Sequence, residues 1–116
     1  YKEALKNITK AIDIRKNSPT FKEWISVELS EENKYLFWIP EGFAHGFLTL
    51  SSEAEVQYKT TEFWCRDSER AIIWNDSALE INWPLALIDN QIPTLNKKDF
   101  SAPRLDQLDW NNDFFD

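Results

Sequence analysis

The chain has 116 residues, 42% of them hydrophobic, and a formal net charge of −7, enough for one domain whose core needs neither disulfide nor metal to hold it. The acidic balance excludes a general nucleic-acid or anionic-membrane surface, since both would repel it, and leaves room only for a local basic pocket. The single cysteine, Cys65, excludes an internal disulfide and fits a reducing compartment.

Apolar runs fall far short of the roughly 20 residues that cross a bilayer, and no signal-peptide pattern opens the chain, so a cytoplasmic protein is expected. It opens on Tyr1 rather than Met, which suggests a piece of something longer. Tyr1 to Lys10 reads equally as a turn or two of amphipathic helix or as a ragged strand. From Trp24 onward, short alternating or apolar stretches are separated by turn-forming clusters, the pattern of an antiparallel sandwich or barrel. Five stretches are expected as strands: Trp24 to Leu29, Tyr35 to Ile39, Phe47 to Leu50, Glu55 to Thr61 and Ala71 to Trp74. After Asn82-Trp83-Pro84 the composition shifts to Pro, Asn, Asp and Lys, so the rest is expected to wrap the sheets as loops with a short helix near Pro103 to Leu108.

Ile39-Pro40-Glu41-Gly42-Phe43-Ala44-His45-Gly46-Phe47 holds the only histidine and both glycines. It reads as a rigid entry, a tight turn at Gly42 and then an imidazole, which is either presented for chemistry or half-buried behind a β-turn. One histidine cannot build a two- or three-histidine metal site, and two glycines satisfy neither the Rossmann nor the P-loop pattern. Tyr58 shares a strand face with Val56 and Thr60, where its phenol could donate a proton or simply pack. Phe63 and Trp64 end that strand as flat surfaces suited to an interface or to stacking on a ligand. Lys97-Lys98-Asp99 reads as an exposed turn, and a catalytic Cys65 would need His45 beside it.

Several blocks in order carry a resemblance: Ile14-Arg15-Lys16-Asn17-Ser18-Pro19-Thr20-Phe21, then Val27 to Lys34, then Trp38 to Phe47, then Tyr58-Lys59-Thr60-Thr61, then Ile72-Ile73-Trp74-Asn75-Asp76 and Ile81-Asn82-Trp83-Pro84. Together they resemble the dTDP-4-dehydrorhamnose 3,5-epimerases over roughly Ala11 to Gln107, the carboxy-terminal portion of such an enzyme. The resemblance implies an all-β fold, a partial cupin-type jelly roll with a loop and short-helix extension, in one domain of three parts: a divergent segment 1–10, a β core 11–83 and a wrap 84–116. It also implies a homodimer without cofactor or metal, acting on a dTDP-4-keto-6-deoxy sugar in dTDP-rhamnose synthesis for bacterial surface polysaccharides.

Carried over residue by residue, the resemblance implies that Tyr58 is the proton donor and that Asp99 supports the catalytic histidine. It places His45 in the substrate pocket, Glu69 and Lys98 against the nucleotide-sugar, and Trp64 on the thymine, where the family usually has Tyr. The general-base histidine of a Gly-Leu-His-Tyr-Gln type segment, with its arginine and lysine, is not in this sequence. Two expectations follow: the chain alone is inactive or nearly so, and it exposes unpaired edges and apolar faces, favouring aggregation or a swapped dimer. The alternatives are an epimerase that inverts C3 only, and a non-catalytic cupin module that binds a nucleotide-sugar or an epimerase subunit.

Overall fold

The computed structural model describes residues 5–116. Its centre is an antiparallel sheet of three strands, β1 (Lys6–Asp13), β2 (Trp24–Ser30) and β3 (Phe43–Thr49), ordered β2-β1-β3. Within the ambiguous opening stretch, residues 6–10 are therefore strand, and the central one; residues 1–4 lie outside the described residues. Periodicity left this stretch undecided because the strand buries polar side chains. Asn7, Thr9, Lys10 and Asp13 are all buried, so neither face of β1 reads as apolar.

The register puts Ala11 opposite Ile25 and His45, and Ile12 opposite Trp24 and Ala44. Side chains alternate across a strand, so each face of the sheet can be read off. One face carries Ile12, Trp24 and Ala44, and the chain after β3 covers it with Ile72, Leu79, Ile81 and Leu105. Polar ties hold that cover in place: Trp24 Nε1 donates to the Leu79 carbonyl at 3.2 Å, and buried Asp76 accepts from the Leu105 backbone N–H at 2.6 Å. Lys10, on the same face, lies over the Trp24 ring at 4.4 Å and the Trp83 ring at 5.9 Å. Burial lowers its pKa, and the indole faces replace part of the water that the ammonium loses.

Three expected strands are corrected. Among the described residues Tyr35 to Ile39, Glu55 to Thr61 and Ala71 to Trp74 form no ladder, although their sequences favour extended backbone. A strand exists only as a pairing, and pattern cannot supply the partner. Leu36, in the first of these stretches, is 98% exposed, and Phe63, just past the second, is 94% exposed. Trp24 to Leu29 is strand as expected. The stretch expected at Phe47 to Leu50 is the end of a longer strand that already includes His45. Beyond residue 84 the chain is loops and short turns, with a 3-10 turn at Leu105–Gln107 where a short helix was expected. The four-residue helix α1 (Lys97–Phe100) replaces the expected turn, capped by the Asn96 side chain accepting from the Asp99 N–H.

Gly42 turns the chain into β3 with φ of +84°, and a Cβ there would fall 2.5 Å from Arg15 Cγ. Left-handed backbone and lack of space act together, so Gly42→Ala is expected to cost about 1–3 kcal/mol. A lowered urea midpoint would show it; an unchanged one would mean that the corner relaxes freely.

Candidate functional site

The other face of the sheet buries its β1 side chains and exposes His45 and Phe47 on β3. It carries Asn7, Thr9, Ala11 and Asp13 from β1, with Phe43, His45 and Phe47 beside them from β3. Thr9 Oγ1 donates to Asn7 Oδ1 at 2.9 Å. Against this face stands Tyr58, its ring centroid 6.1 Å from that of His45, with planes at 45°. Both rings keep contact with solvent, and partial burial moves both groups toward neutrality. The imidazole is held below its ordinary pKa and the phenol above its own. At neutral pH the phenol therefore retains its proton, the form a general acid requires.

A second group gathers around Glu69. Trp64 Nε1 donates to Glu69 Oε1 at 2.9 Å, and Lys98 Nζ stands 3.0 Å from Glu69 Oε2. The indole N–H first, and the Lys98 ammonium second, hold the Glu69 carboxyl below its usual pKa. The 3-10 turn Arg66–Ser68 brings the chain back so that residues 64 and 69 meet, and α1 supplies the lysine. With Trp64 72% exposed and the ion pair at the surface, this group adds little to stability. It presents a flat aromatic plane edged by one carboxylate and one ammonium.

The structure thus brings His45 to Tyr58, and Trp64 to Glu69 and Lys98. Asp99 lies in the first turn of α1 with an exposed side chain, and the imidazole it is expected to support is not in this sequence. Cys65 is exposed; the Ser68 side chain, followed by nearby backbone donors, lowers its thiol pKa.

Sequence reasoning passed over the carboxylate that accepts most side-chain hydrogen bonds among the described residues. Asp13, 1% exposed, accepts from Arg15 Nε at 3.0 Å and Nη2 at 2.8 Å, from Ser18 Oγ at 2.5 Å and from Thr20 Oγ1 at 2.6 Å. The Arg15 guanidinium, above all, holds Asp13 far below the usual carboxylate range. The signal available in sequence was the spacing Asp13-x-Arg15-x-x-Ser18-x-Thr20, in which every partner lies within seven residues of the acid.

The family model described as dTDP-4-dehydrorhamnose 3,5-epimerase matches residues 7–107, so the likeness starts inside β1 and not at Ala11. A dTDP-4-dehydrorhamnose 3,5-epimerase of Salmonella typhimurium is 56% identical over 97 residues, which are 84% of this chain and 51% of that protein. The crystal structure of dTDP-6-deoxy-D-glucose-3,5-epimerase from Legionella pneumophila Philadelphia 1, in complex with dTDP-4-keto-L-rhamnose, matches with a TM-score of 0.80 at 41% identity, covering 91% of this chain and 58% of that one. The epimerase from Bacillus anthracis, with TDP and PPi bound, matches with a TM-score of 0.70 at 34% identity, covering 88% and 60%. The fold is therefore all-β, part of a cupin-type jelly roll. The chain spans about half the length of the curated relatives it matches. With the sequence match, the sheet and its cover all agreeing, the chain belongs to the dTDP-4-dehydrorhamnose 3,5-epimerase family.

Proposed function

We propose that this chain supplies the proton-donor and nucleotide-binding part of a dTDP-4-dehydrorhamnose 3,5-epimerase, which turns dTDP-4-dehydro-6-deoxy-D-glucose into dTDP-4-dehydro-L-rhamnose. The observation that carries the reading is the Tyr58 ring standing 6.1 Å from the His45 ring, against the sheet face that carries the imidazole. The 4-keto group acidifies the C–H bonds at C3 and C5. A base removes the proton from one face, leaving an enolate, and Tyr58 returns a proton to the same carbon from the other face, inverting it. His45 borders the sugar and its oxygens. Trp64 offers its plane to the thymine, and Lys98, beside Glu69, meets the nucleotide-sugar. Asp99 orients a base histidine that must come from outside these 116 residues. Working as a homodimer in the cytoplasm belongs to the same reading, as does the division into an opening segment, a β core and a carboxy-terminal wrap. Among the described residues no helix is long and apolar enough to cross a membrane.

The chain alone is accordingly expected to bind dTDP without epimerising the sugar. Saturable dTDP binding, measured by calorimetry and weakened in Trp64→Ala and in Lys98→Ala, supports the reading; each change is expected to weaken binding by about 1–3 kcal/mol. Deuterium entering C3 and C5 of the sugar in heavy water, catalysed by the purified chain, would overturn the need for an outside base. Binding that never couples to exchange, even beside the missing half, would leave a non-catalytic nucleotide-sugar module. Exchange at C3 alone would leave a 3-epimerase.

A further inference from the structure

The Asp13 cluster stands apart from the groups that meet the sugar or nucleotide, yet it reaches toward the histidine. Asp13 lies opposite Phe43 in the register, and Ala11, two residues earlier on the same face, lies opposite His45. The Arg15 guanidinium that grips Asp13 also lies over the Phe43 ring, its Cζ 4.9 Å from the centroid. The Arg15 stem occupies the space that a Cβ at Gly42 would need, and the Ile14 N–H donates to the Gly42 carbonyl at 3.0 Å. Ser18 and Thr20 close the β1–β2 loop onto the same carboxylate.

This arrangement answers a mechanical problem. Within the described residues β3 pairs with β1 on one side only, and it is entered through Gly42, whose backbone turns more freely than that of any other residue type. His45 is the third residue of that strand, close to the end at which a strand frays. An arginine fixed at its tip by a buried acid and packed along its stem against the corner takes that freedom away. Ser18 and Thr20 alone would hold the loop; of the side chains on this carboxylate, Arg15 is the one that also packs on the corner leading into the strand that carries the imidazole.

We propose that Arg15, anchored by Asp13, is a positioning residue for His45: it pins the Gly42-Phe43 corner and thereby sets where the imidazole stands relative to Tyr58. The proposal rests on the reading of His45 as a pocket residue. Its test needs neither turnover nor dTDP, so the two fail separately.

The experiment is NMR on this chain, whose single histidine makes the ring assignment unambiguous. Nuclear Overhauser contacts between the His45 and Tyr58 rings are followed together with amide exchange along β3. Arg15→Met removes the fork and keeps most of the stem, and Arg15→Lys keeps a cation beside Asp13 but not the planar, two-pronged contact. In both variants the contacts between the two rings should be lost. Amide protection should be lost at Phe43 to His45 and kept at Phe47 to Thr49. Retained ring contacts would overturn the proposal. So would protection that falls evenly along β3, which would make Arg15 a general stabiliser. Should Arg15→Met fail to fold, Arg15→Lys decides by the same two readings, and failure of both to fold would make the pair a determinant of the fold and overturn the positioning role.

Discussion

Tyr58→Phe is expected to lower epimerisation by about 10²–10⁴-fold in an enzyme reassembled from this chain and the amino-terminal half of its Salmonella typhimurium relative, the usual contribution of a positioned general acid. The change removes one oxygen and keeps the ring, so the contact with His45 and the packing persist. The two half-reactions should separate. Removal of the sugar's proton depends on the base from the other half, so deuterium exchange from heavy water should continue while the inverted product disappears. NMR of the sugar reads both at once. Full turnover by Tyr58→Phe would take the acid role away from this residue. Loss of exchange and inversion together would instead mean that the phenol steadies the enolate before it donates. Partial burial raises the Tyr58 pKa, so the acid stays charged with its proton through neutral pH, and its loss should lie above the ordinary tyrosine value of 10.0. Activity limited by this group therefore falls on the alkaline side only.

The second large effect concerns stability. Asp13→Asn should cost about 2–3 kcal/mol, because the carboxylate accepts from a guanidinium, two hydroxyls and a backbone N–H while nearly free of water. Breaking a fully buried pair costs more; here the Arg15 side chain is 38% exposed, so its charge recovers hydration once the partner is gone. The pH dependence has a definite sign. The folded-state pKa of Asp13 is depressed from its ordinary 3.8, so its contribution is complete above that value and is lost as pH falls below it. Urea midpoints compared at about pH 6 and about pH 3 should show the parent losing more stability than Asp13→Asn, which has no carboxyl to protonate at that position. Equal losses would mean that other groups carry the acid sensitivity.

Both effects depend on residues of different legibility. Tyr58, His45, Trp64, Glu69 and Lys98 could be named before any coordinates, because the blocks around them resemble one family in order and spacing. Asp13 could not, since nothing in that resemblance marks it and a lone acid beside an arginine is usually a surface pair. Its weight comes from burial, and burial is a property of the whole fold. The opening stretch, left open between helix and ragged strand, has the same origin: a polar run such as Asn7-Ile8-Thr9-Lys10 is a poor strand by pattern and becomes the central strand because β2 and β3 flank it. The reverse error occurred at Tyr35 to Ile39, an apolar run whose backbone preference is extended but which has no ladder here.

The sequence by itself determined the family, the all-β class and the turn at Gly42, because each of these is encoded by residue type at a local spacing. Only the tertiary structure decided which stretches pair, which polar groups lose water, and which residues separated by tens of positions meet, as Glu69 meets Lys98. Hydrogen-bond partners and desolvation depend on where the rest of the chain lies, and no local pattern carries that information.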